Sequence, residues 1–180
     1  MATPRHPLPV MTPGFSLVEI LVTLMLLSIG LLGLARLQAR AAITGIEAYQ
    51  RTQALLLAQD MASRIAANKP DALRYIADDY GAGVATACPA EPGFERDACL
   101  WSNELRGESE RIDGTAAGAM AGGRGCIAAT DATALAVVVV WQGLVPTSAP
   151  AVECGRDRYG DDALRRAIVV PVHLAILAGP

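Results

Sequence analysis

Residues Phe15–Ala35 read FSLVEILVTLMLLSIGLLGLA, a nearly unbroken apolar run whose single charge is Glu19. A helix needs about 20 predominantly apolar residues to cross the hydrocarbon core of a bilayer, and this stretch supplies them. The flanks differ from its interior. Residues 1–14 carry Arg5, His6 and four prolines (Pro4, Pro7, Pro9 and Pro13) without an acid, and Arg36 and Arg40 follow the run. An ordinary secretory signal has a shorter apolar region with a small-residue cleavage site after it, whereas here the candidate small residue, Gly14, stands before it. Arg5 ahead of the span places the leader in the cytoplasm and the remainder outside by the positive-inside tendency, although Arg36 and Arg40 count against that bias.

No proline occurs between Pro13 and Pro70, and the interval is rich in Leu, Ala, Gln, Arg and Met, all good helix formers. One helix from Ser16 to about Asn68 is predicted, roughly 80 Å long at 1.5 Å per residue. Its second half changes pattern. Ala54, Leu57, Ala58, Met61, Ala62 and Ile65 recur at helical spacing, with Gln53, Asp60, Ser63 and Arg64 between them, so one face of this half should lie on a sheet. Asn68, Lys69 and Pro70 should end it. Gly30, Gly33 and Gly45 are weak points costing up to about 1 kcal/mol each relative to Ala. They serve either local loosening or close helix packing.

The junction Gly14-Phe15-Ser16-Leu17-Val18-Glu19 resembles the type III leader junction of type IV prepilins and pseudopilins. That resemblance implies cleavage after Gly14 by prepilin peptidase, N-methylation of the new terminal Phe15, and retention of the apolar segment. It also implies that Glu19 docks the subunit by pairing with the N-terminal amine of a neighbour. An acid deep in a membrane helix is disfavoured by roughly 2.5 to 3.5 kcal/mol on insertion scales, so a partner is the physical expectation. A bland reading also exists, in which Glu19 is an early-turn acid favoured by the helix dipole. A second stretch, QRTQALLLAQDMASRIAANKPD (Gln50–Asp71), is similar to the region after the membrane helix in PilV-type minor pilins, the type IV pilus modification proteins. The segments VVVVWQGLVP and CGRDRYGDDALRRAIVV resemble the C-terminal strands of the same group.

Beyond Pro70, Tyr75–Ala87 offers turn signals and no secure regular element. A helix is predicted over Asp97–Arg106, a loop over Gly107–Gly125, and strands over Gly125–Ala129, Ala134–Trp141 and Ala167–Ile176. Pro171 places the last strand at an edge or bulge, because proline cannot donate to a ladder. The expected fold class is α+β and pilin-like: a long N-terminal helix, membrane-spanning in its first half, packed on a small antiparallel sheet. The segments are a leader (1–14), a membrane or filament-core helix (15–35), its amphipathic continuation (36–70) and a periplasmic globular domain (71–180).

Cys88, Cys99, Cys126 and Cys154 all follow the span, on the side expected to be oxidising. Four cysteines permit three pairings, and chain proximity favours Cys88 with Cys99 and Cys126 with Cys154. The rival, a metal site, lacks a nearby histidine: His173 is the only one outside the leader and sits in a strand pattern. Asp157, Asp161 and Asp162 miss the spacing of a calcium loop and interleave with Arg156 and Arg158, which reads as a solvated, salt-bridged loop. No nucleophile, zinc or phosphate-loop motif occurs, so neither an enzyme nor a cofactor is expected. A net charge of -3 argues against nucleic acid as a partner.

The resemblance implies other minor and major pilins, prepilin peptidase and the inner-membrane assembly machinery as partners. It implies an inner-membrane location before assembly and the cell surface after it. Two other functions stay open: a type II secretion pseudopilin, and a tip adhesin or DNA-uptake binding module.

Overall fold

The computed structural model describes residues 14–108, 111–113, 115–116 and 120–174 of the 180-residue chain. Arg5 and His6 of the leader, and the end of the strand predicted to reach Ile176, lie outside the described residues. Helix α1 spans Leu17–Ala67, 51 residues without a proline. It stops where Asn68 and Pro70 were expected to stop it, and a 3-10 turn over Lys69–Tyr75 follows. The chain divides after Ala42 into two units.

The first unit is the apolar half of α1, and its large side chains from Leu17 to Leu37 are exposed. Its few polar side chains are satisfied locally. The Thr23 hydroxyl donates to the Ile20 carbonyl (2.9 Å) and the Ser28 hydroxyl to the Leu24 carbonyl (2.7 Å). A hydroxyl that returns its proton to the preceding turn asks nothing of lipid.

The second unit holds the sheet. Its elements are β1 (Ala77–Tyr80), α2 (Phe94–Leu105), β2 (Arg111–Ile112), β3 (Thr115–Ala116), β4 (Arg124–Asp131), β5 (Ala134–Gln142) and β6 (Arg165–His173). The antiparallel order is β1-β4-β5-β6, with β2 and β3 as a separate two-stranded ribbon. The α+β architecture expected from sequence, a long helix on a small antiparallel sheet, is the one found. Three local expectations are corrected. Ala77–Tyr80 is an edge strand rather than irregular chain, and α2 starts at Phe94 rather than Asp97. The segment read as loop from Gly107 contains the β2–β3 ribbon and the first residue of β4. Pro171 does lie on an edge strand, opposite Ala136.

β5 explains why ALAVVVVWQ is apolar on both alternations. Successive strand residues face opposite sides of the sheet. Leu135, Val137, Val139 and Trp141 join the main core with Ala54, Ala58, Met61 and Ile65 of α1, the helical stripe read from sequence. Ala136, Val138 and Val140 join a second core with Cys126 and Cys154 on the other face. Small Ala54 and Ala58 let the helix approach closely, while burying Met61 and Ile65 contributes roughly 1.5 to 3 kcal/mol each.

Helix α2 is clamped to α1 by polar and apolar contacts together. Arg64 pairs with Asp60 one turn back (2.6 Å) and with Asp97 (3.4 Å) and Glu104 (3.3 Å) of α2. Trp101, fully buried, donates its indole N–H to the Leu57 carbonyl (2.9 Å) and meets Tyr80 edge to face at 5.0 Å. The Trp101 ring lies directly over Gly125 of β4, where a Cβ would collide with it and with Leu105. Gly81, just after β1, turns the chain at φ 79° against the Gly123 carbonyl.

The Gly125→Ala variant is therefore expected to lose about 1 to 3 kcal/mol by overpacking. Urea unfolding of the detergent-solubilised chain, followed by Trp fluorescence, measures it, and an unchanged midpoint would refute the close packing of Trp101.

Candidate functional site

The residues singled out at the N-terminus fall on one turn of chain. Phe15 is exposed, α1 begins at Leu17, and the Ser16 carbonyl accepts the first amides, from Glu19 (3.1 Å) and Ile20 (3.2 Å). Glu19 lies in the first turn of α1, exposed, where the helix dipole favours an anion. An exposed carboxylate amid exposed Leu17, Val18, Ile20 and Leu21 is well placed for a cation brought by another molecule. A side chain at Gly14 would meet no described atom within 4 Å.

The cysteines are joined as Cys88–Cys99 and Cys126–Cys154, with Cα separations of 5.5 and 5.9 Å. The first bond ties the loop after β1 to α2. The second, buried, ties β4 to the long connection between β5 and β6. Closed loops of this size typically stabilise by about 2 to 4 kcal/mol. Among the described residues no group of His, Cys, Asp or Glu side chains is placed to hold a metal ion. Asp162 instead pairs with Arg165 and Asp161 caps the short 3-10 turn through the Ala163 amide, so the acid-rich loop is a structural one.

That connection, residues 143–164, runs as a strap, and two consecutive arginines of β6 hold it. Neighbours in a strand point to opposite faces. Arg165 is fully buried on the disulfide side, where it grips Asp162 (2.6 and 2.9 Å) and the carbonyls of Pro150 (3.1 Å), Val152 (2.5 Å) and Cys154 (2.9 Å). Arg166 turns to the helix side. It binds Glu47 of α1 (3.1 and 3.2 Å), the Thr147 hydroxyl (2.7 Å) and the Val145 carbonyl (2.5 Å).

Glu47 also accepts the Leu144 amide (2.8 Å). Burial by itself would raise the Glu47 pKa, but the Leu144 N–H and the Arg166 guanidinium outweigh it and hold the carboxyl below its ordinary value. The Arg165 guanidinium likewise lowers Asp162. Sequence reading passed over all three of Glu47, Arg165 and Arg166. One signal was available, since Glu47 is the only acid between Glu19 and Asp60.

Beside the strap, the disulfide face of the sheet forms a groove of about 720 Å³ floored by Ala128, Ala136, Val138 and Val169. Arg124, Arg156 and Arg158 line it together with Asp78, Asp79 and Glu153.

Two consequences are measurable. Arg165→Met leaves a carboxylate and three carbonyls without their donor, and should cost about 3 kcal/mol in urea unfolding; a loss below 1 kcal/mol would refute its role. Because the folded Glu47 pKa is depressed, its stabilisation is present above the unfolded value and is lost as pH falls below about 4.5. The protection factors of the Gly143–Thr147 amides, corrected for the pH dependence of intrinsic exchange, should therefore fall on acidification before those of β5. Glu47→Gln should show the lowered protection already at pH 7.

Residues 13–35 match the family described as the prokaryotic N-terminal methylation motif. Searches of the curated proteins and of the solved structures found no significant match. The motif, with a helix long and apolar enough to cross a membrane, indicates a type IV pilin-like protein of the prepilin type, fit to be membrane-anchored and to involve prepilin peptidase and pilus-type machinery.

Proposed function

We propose that this chain is a minor pilin of a type IV pilus, of the PilV type, and a structural rather than a catalytic protein. The observation that carries the reading is the methylation motif over residues 13–35, followed by a helix whose first half exposes apolar side chains and whose second half seats on a sheet. In this reading prepilin peptidase cleaves after Gly14 and Phe15 becomes the methylated N-terminus. Residues 15–35 anchor the subunit in the inner membrane and later enter the filament core. The helix continues beyond the membrane to Ala67, and residues 71–180 form the periplasmic domain offered to other minor and major pilins.

Glu19 supplies the docking charge. In hydrocarbon its carboxylate needs a counter-ion, and the secondary amine of a neighbour's N-methylated Phe15 is one, so both charges are neutralised as the subunit moves from lipid into the fibre. Function then arises through packing and charge matching, with the two disulfides and the strap keeping the domain rigid outside the cell.

Mass spectrometry of the chain from pilus-bearing cells is expected to show a mature N-terminus at methyl-Phe15. An intact Met1 would overturn the reading. Glu19→Ala should leave membrane insertion unchanged and reduce recovery in sheared surface fibres by at least about tenfold, the effect of roughly 1.4 kcal/mol; full incorporation would remove the docking role. A pseudopilin carries the same motif, and deletion of the gene separates the two: lost twitching supports the pilus, whereas lost exoprotein secretion with normal pili assigns the chain to a type II secretion system.

A further inference from the structure

Where the strap leaves β5 it carries Leu144 and Val145, exposed at 47% and 40%. Loose apolar side chains would fold back, but these are held by their backbone: the Leu144 amide donates to Glu47 and the Val145 carbonyl accepts from Arg166. The acid of the charge pair that fixes them, Glu47, sits on the helical segment that also exposes Ile43 and Ile46, at 36% and 48%. Ile43 lies one helical turn before Glu47 and Ile46 next to it, and Leu144 and Val145 are the residues whose backbone the ion pair holds, so four exposed aliphatic residues flank one ion pair.

The neutralisation matters for what can cover them. Glu47 and Arg166 satisfy each other and Leu144, so the patch brings no uncompensated charge to an apolar or interfacial medium. In sequence, Ile43 and Ile46 continue on α1 the series of exposed aliphatics that runs from Leu17 to Leu37. Water gains nothing from a pinned aliphatic patch, whereas the interfacial zone of a bilayer can cover its apolar area.

We propose that Leu144, Val145, Ile43 and Ile46 form an apolar foot by which the globular unit rests on the phospholipid surface of the membrane that holds its own helix, before any assembly into a filament. The proposal rests on the membrane-anchored reading of residues 15–35. Its partner is the interfacial zone of a glycerophospholipid bilayer, and its contact is apolar.

The test uses the full chain reconstituted in phosphatidylethanolamine–phosphatidylglycerol vesicles. Both native cysteine pairs are closed, so a single introduced cysteine takes a nitrobenzoxadiazole label selectively. The labelled positions are Leu144→Cys, Val145→Cys as a second variant, and Ala132→Cys in the turn at the opposite end of β5 as reference. Labels at 144 and 145 are expected to emit at shorter wavelength than the label at 132, and to be quenched by a shallow nitroxide lipid that leaves 132 unaffected. Equal emission at all three positions, in chain that resists carbonate extraction, overturns the foot and leaves the anchor standing. Chain released by carbonate overturns the anchor and the foot with it. A blue shift that vanishes when the lipid-to-protein ratio is raised assigns the patch to a second copy of the chain and also overturns the proposal.

Discussion

The stripe Ala54, Ala58, Met61 and Ile65 on the inner face of β5 is the contact on which the rest of the domain is hung. Alanines at two successive turns bring helix and sheet together, and the larger side chains one turn further fill the space this leaves. Trp101 then closes the core from α2, with its N–H on the α1 backbone and its ring over Gly125. One aromatic side chain thus touches helix, sheet and second helix at once. In a chain with only 4% aromatic residues that single contact has few substitutes.

The other face of the sheet is covered differently, because no helix lies there among the described residues. A strap of irregular chain does the work, and irregular chain carries backbone groups that must be satisfied. Arg165 meets this requirement by donating to three of its carbonyls, and the Cys126–Cys154 bond fixes its middle. Arg166 fixes the near end to α1. The period-two geometry of a strand is what allows two adjacent residues of the same type to act on opposite sides.

The apolar run at residues 15–35, the amphipathic half of α1, the proline stop and the valine-rich strand were all legible, because each is a local pattern with a single structural reading. Ala77–Tyr80 was not. ADDY holds two adjacent acids and no alternation, and it becomes a strand only because β4 offers it an edge. Arg166 and Glu47 escaped for a related reason: they lie 119 residues apart, and no spacing rule joins such positions. The methylation motif is the opposite case, since it is written in consecutive residues.

Pro171 bears on how such a chain stays soluble. The pairing of β6 with β5 runs through Ala136 and Pro171 without a shift, so the imide nitrogen is turned away from β5, toward the open border of the sheet. A border with a missing donor is a poor template for a further strand. Copies of a sheet at high local concentration are at risk of stacking edge to edge, and one imino acid on this outer strand makes that amyloid-like route harder.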